Sequence, residues 1–125
     1  MAVDMVGSSP PVQIGKELEL VKRYVLLGIV NQILDHDIRI IGATATKLPR
    51  LYESMIRGLQ DRVLLELAAM RRQFRDSGIG VDKEKRSTAG LCAEYSCMGY
   101  RHSFSMPWTF VKAESERLLK SYLTK

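Results

Sequence analysis

Two clusters in this chain combine side-chain types that could do chemistry, and a third could bind phosphates. Asp35-His36-Asp37 offers two carboxylates and an imidazole, a metal-ligating set by type. Consecutive helical residues point about 100° apart, so the three cannot converge on one ion from a single turn. Helical metal sites use i,i+3 or i,i+4 spacing instead. The run reads as a polar belt where a helix meets solvent. Cys92, Cys97 and His102 recur every five residues. Zinc sites favour tighter pairs such as CxxC, and an odd offset along one strand puts successive members on opposite faces. Neither cysteine has a His and an acid spaced to activate it as a nucleophile. Phosphate-cradling motifs are absent, and Gly78-Ile79-Gly80 follows a helix rather than opening one. The expectation is a non-enzymatic chain with no catalytic residue, no metal and no cofactor.

The third group is basic. Residues 1–70 hold eight Lys/Arg against eight Asp/Glu, whereas residues 71–125 hold eleven against six, which supplies the whole +5. Arg71, Arg72, Arg75, Lys83, Lys85, Arg86 and Arg101 fall in this half, interleaved with Tyr95, Tyr100 and Phe104. A charged loop beside the basic end of a helix could track a phosphate backbone. Basic residues near a helix C-terminus also complement the macrodipole, and Asp76, Asp82 and Glu84 dilute the patch.

The elements that must position these groups are legible from periodicity. Residues 1–13, with Ser8-Ser9-Pro10-Pro11, read as a flexible arm, and 14–125 as one domain. From about Lys16 to Ala43, Leu18, Val21, Val25, Ile29, Ile33 and Ile40 form one apolar stripe. Leu20, Tyr24, Leu27 and Leu34 form a second beside it, so this helix has an apolar face wider than one neighbour requires. Tyr52, Ile56, Leu59, Val63, Leu67, Met70 and Phe74 mark a second helix from about Arg50 to Asp76, closed by Gly78. Pro49 marks the short turn that makes the two helices antiparallel partners. Between residues 79 and 104 the period becomes two, predicting two strands joined by a charged loop, with Gly99 at a bend or bulge. Trp108, Val111, Leu118 and Tyr122 then line a final helix over Pro107–Leu123.

Composition bounds the rest. Hydrophobic content of 46% with 26% charged residues is ordinary for a globular domain of 125 residues. The most apolar run, Tyr24–Ile41, is interrupted by Asp35, Asp37 and Arg39, so no transmembrane span is expected. Residues 1–10 lack the charged and apolar regions of a signal peptide, and a reduced cytoplasmic setting is expected for the two cysteines.

Several short runs bear a family resemblance. Met70-Arg71 precedes Gly78-Ile79-Gly80-Val81, followed by Tyr95, Met98-Gly99-Tyr100, Phe104, Pro107 and Leu118-Leu119-x-x-Tyr122-Leu123. Asp37-Ile38-x-Ile40-Ile41 and Lys47-Leu48-x-x-x-Tyr52 extend the pattern upstream. From about Val25 to Leu123 the chain resembles the YhjD-like family of small helical proteins from spore-forming Firmicutes. That family has no assigned activity, so the resemblance implies an α-α-β-β-α order and no catalytic residues. It leaves the cysteines and residues 1–15 unexplained.

These readings converge on a mainly helical α+β domain. Two long antiparallel helices form its body, a β-hairpin caps one end and a C-terminal helix closes the core. The function expected is that of an interaction or regulatory accessory protein, a homodimer associating through Val21, Val25, Ile29 and Ile33. The alternative is a nucleic-acid-binding protein using the seven basic residues above.

Overall fold

A computed structural model describes the backbone of residues 11–124 and the side chains of residues 15–124. Its order is α-α-β-β-β-α, an α+β fold dominated by helix. Helix α1 spans Pro11–Ala43 and α2 spans Pro49–Ser77, about 50 and 43 Å at 1.5 Å per residue. Pro11 and Pro49 each open a helix, where the missing N–H would have no intrahelical partner anyway. Residues 11–13 of the expected arm are therefore the first turn of α1, and residues 1–10 lie outside the described residues. Gly78 ends α2 in the left-handed region (φ 73°), its N–H reaching the carbonyls of Phe74 and Arg75.

Three strands follow, not two: β1 (Ile79–Arg86), β2 (Gly90–Cys97) and β3 (Tyr100–Pro107), antiparallel in that spatial order. Met98 and Gly99, at φ 50° and 92°, make a two-residue turn that pairs Cys97 with Tyr100. The expected bend at Gly99 is thus a full reversal, and the stretch after it is a strand. Between β1 and β2 the register shifts, so that Asp82 and Lys83 together oppose Glu94 in a β-bulge. The expected charged loop from Asp82 is mostly strand, and the chain turns only at Ser87–Ala89. Gly90 begins β2 because a Cβ there would lie 2.3 Å from the Met106 carbonyl oxygen.

The sheet does not cap one end of the hairpin. Its inner face, Leu91, Ala93, Tyr95, Cys97 and Met106, joins the core formed by α1, α2 and the last helix, α3 (Trp108–Leu123). At one end Arg86 donates to the Gln32 side chain at 2.9 Å; at the other, Tyr95 and Cys97 feel the charge of Glu17. The strands therefore run along the first two-thirds of α1. No described helix is long and apolar enough to cross a membrane.

Candidate interaction surface

The expected self-association stripe divides. Val21, Val25 and Ile29 are buried in the chain's own core, which α2, the sheet and α3 complete around this part of α1. A dimer built on those three would require this core to open. Only Ile33 is exposed, at 39%, on the wall of a groove between α1 and α3. Ile29, Ile33, Trp108, Val111 and Leu119 supply the groove's apolar surface, and its volume is about 690 Å³. Gln32, His36, Arg86, Lys112 and Glu116 stand around it. Ser115 is 4% exposed there, and its Oγ has no hydrogen-bond partner among the described residues.

Beyond the core the helical hairpin continues as an arm. Past Leu34 on α1 and before Val63 on α2, the only buried side chain among the described residues is Ile38. The arm instead exposes large apolar groups: Ile40 (46%), Leu48 (54%), Leu51 (50%), Tyr52 (38%) and Met55 (58%). Leu48, Leu51 and Met55 follow steps of three and four and so share one helical face. Sequence reasoning misses this surface because the α2 stripe it follows leads, through Val63, Leu67, Met70 and Phe74, into the core.

The basic set is brought only partly together. Arg71 donates to the Tyr24 hydroxyl at 3.1 Å with its guanidinium over that ring. Arg71 and Arg75 line a cleft of about 470 Å³ between the end of α2 and β1, but Asp82 and Glu84 line the same cleft. Arg101 is held by Glu94 at 3.1 Å and Asp82 at 3.6 Å, and Arg86 by Glu84 at 3.0 Å and Gln32. Arg72, Arg75, Lys83 and Lys85 are exposed and make no ion pair among the described residues.

The metal-like runs have ordinary surroundings. Asp35 accepts from Arg39 at 2.9 Å and His36 Nδ1 lies 3.2 Å from Asp37, all exposed. Among the described residues no three His, Cys, Asp or Glu side chains are placed to share an ion. Cys92 is exposed and Cys97 buried, on opposite faces as their odd spacing requires. His102, however, shares the inner face with Cys97, because the Met98-Gly99 turn lies between them; it stacks on Tyr95 at 5.1 Å. Burial, reinforced by Glu17, pushes the Cys97 thiol up to about 11, so it stays protonated and weakly nucleophilic at neutral pH. Tyr95 is raised to about 12, first by burial and then by the charge of Glu17.

A polar cluster fixes α3 against the hairpin. The Tyr122 hydroxyl donates to Glu66 Oε1 at 2.6 Å, and the Arg23 guanidinium donates to both oxygens of the same carboxylate. Arg62 lies 4.4 Å from the Tyr122 ring centroid and donates to the Tyr122 carbonyl at 2.6 Å. Three helices thus meet at one carboxylate, and the arm and groove are held on a common frame.

No curated protein and no solved structure matches the chain. The family model described as YhjD protein matches residues 13–125, and the chain belongs to the YhjD family.

Proposed function

We propose that this protein is a non-enzymatic interaction and regulatory accessory protein that acts as a homodimer, docking through the arm of its helical hairpin. The observation that carries this reading is the concentration of half-exposed Ile40, Leu48, Leu51 and Met55 on a segment that contributes one buried residue, Ile38. Exposed apolar groups of this density favour association, and twofold symmetry applies each contact twice. Burying a half-exposed leucine contributes about 1 kcal/mol per copy.

The test is the solution mass by light scattering at low and high salt, for the wild type, Leu51→Glu and Met55→Glu. A salt-resistant dimer that either substitution converts to a folded monomer supports the reading. Both positions lie outside the core, so their melting curves should stay close to that of the monomeric state. Val25→Glu serves as the contrast: it places a carboxylate in the core and should unfold the chain rather than dissociate it. A wild type that is monomeric at every concentration, or a Leu51→Glu protein that remains dimeric, defeats the proposal.

One observation favours a second reading. Arg72, Arg75, Lys83 and Lys85 are four exposed cations without an ion-pair partner among the described residues, as a phosphate-binding surface would require. Under this reading, changing Lys83 and Lys85 to Glu abolishes binding to a labelled oligonucleotide, and wild-type affinity falls steeply with salt. Affinity unchanged by the substitutions rejects it.

A further inference from the structure

We infer that the groove between α1 and α3 is a binding site for an amphipathic carboxylate, an acyl chain bearing one anionic head group. The site is separate from the exposed face of the arm, and the inference goes beyond the dimer reading without resting on it. Three features carry it.

The first is the apolar surface. Ile29 and Ile33 on α1 face Val111 and Leu119 on α3 across an opening of about 690 Å³, with Trp108 at one end. This volume falls within the few hundred to ~1,000 Å³ of small-molecule sites. The second is Ser115. It is buried in the same groove with its Oγ unpartnered among the described residues, although a helical serine ordinarily finds a carbonyl one turn back. Leaving a buried hydroxyl without a partner is unfavourable, and an acceptor on a bound ligand relieves it.

The third is charge at the rim. Lys112 lies one helical turn before Ser115, so the two stand on neighbouring positions of one face of α3. Lys112 makes no ion pair among the described residues, whereas Arg86, also at the groove, is neutralised by Glu84 at 3.0 Å. Among the described residues lining the groove the carboxylate is Glu116, which is drawn to Lys120 at 3.5 Å, and His36 lies beside Asp37. An ammonium and a hydroxyl one turn apart can serve the two oxygens of one carboxylate, while the alkyl chain lies along the aliphatic side chains. The unpaired Lys112 ammonium selects an anion over a cation of equal length.

Trp108, the chain's one tryptophan, reports on the site directly. The probes are dodecanoate, decanoate, dodecanol and dodecyltrimethylammonium, each below its micelle concentration. They are added to the full chain and to Leu51→Glu while Trp108 emission is followed. Dodecanoate should saturate the signal in both proteins. Decanoate should bind about fifteenfold more weakly, at roughly fourfold per methylene. Lys112→Met, which keeps the aliphatic stem, should weaken dodecanoate at least tenfold. Ser115→Ala should weaken it severalfold without lowering the melting temperature, a combination that a purely structural serine would not give. The inference is overturned by a response that does not saturate, by equal binding of the cationic amphiphile, or by undiminished binding to Lys112→Met. Binding to the wild type that is lost in Leu51→Glu would place the ligand at a dimer contact and overturn it too. If dodecanoate binds to a wild type that is monomeric throughout, the groove stands while the dimer reading falls.

Discussion

Replacing Tyr122 by Phe tests how α3 is held. The substitution removes one oxygen and keeps the ring beneath Arg62. What is lost is the hydrogen bond to Glu66 at 2.6 Å. Hydrogen bonds to charged groups contribute about 1.5–3 kcal/mol. Glu66 keeps both bonds from Arg23, so its carboxylate is not stranded and the lower end of that range applies. With a urea slope of ~1.5 kcal/mol/M, a loss of about 1.5 kcal/mol moves the unfolding midpoint down by about 1 M with the slope unchanged. The same bond has a pH signature. Burial, with Glu66 second, raises the Tyr122 hydroxyl from 10.0 to about 12. A group whose pKa is raised on folding contributes stability that is fully present below its unfolded value and lost as pH climbs through its folded value. The advantage of wild type over Tyr122→Phe should therefore hold at pH 8 and shrink between pH 10 and 12. Tyr95 titrates in the same window but is common to both proteins and cancels in the difference. The assay is urea unfolding followed by circular dichroism at pH 8, 10 and 11.5. A gap that is absent at pH 8, or that stays constant to pH 11.5, would refute the assignment of this bond as a structural clamp.

Two further outcomes follow from burial and close packing. A thiol reagent at pH 8 should modify Cys92 at once and Cys97 only under denaturing conditions, because Cys97 is buried and held protonated; two fast equivalents in the native protein would contradict this. Gly90→Ala should cost about 3 kcal/mol or more, since its methyl would meet the Met106 carbonyl at 2.3 Å with no flexible side chain to yield; a wild-type melting temperature would count against the β2–β3 register.

The helices were plain in the sequence for a physical reason. The α2 core residues Val63, Leu67, Met70 and Phe74 all pack on one side, so the helical period survives undiluted. The third strand carries a weaker signal. Tyr100, His102, Phe104 and Met106 alternate with Arg101, Ser103 and Ser105, and Met98-Gly99 supplies a two-residue turn. Its inward set includes a histidine, and as an edge strand it is only partly buried, so the alternation reads as polar. The width of the α1 face is legible in its two adjoining apolar stripes. The C-terminal helix expected to close the core does help to bury Val21, Val25 and Ile29; what the sequence does not show is that a three-stranded sheet shares the task. The groove was harder still. Its two walls lie about 80 residues apart, and Ser115 becomes notable only once the fold places it at the groove with its hydroxyl unpartnered among the described residues. The basic patch was visible as composition, but the pairing of Arg101 with Asp82 and Glu94 depends on strand register.

The bulge at Asp82 and Lys83 bears on how copies of this chain can meet. A three-stranded sheet has two open edges, each a row of unpaired amides and carbonyls onto which another strand can grow. On the β1 side the extra residue breaks that row, and the run Asp82-Lys83-Glu84-Lys85-Arg86 covers it with exposed charge. A neighbouring strand would have to follow a kinked template and desolvate five ionised groups. Growth from this edge into a continuous intermolecular sheet, the usual start of fibrillar aggregation, is thereby discouraged. The protein can keep apolar side chains on its helical arm without also offering this edge of its sheet as a second, indiscriminate point of attachment.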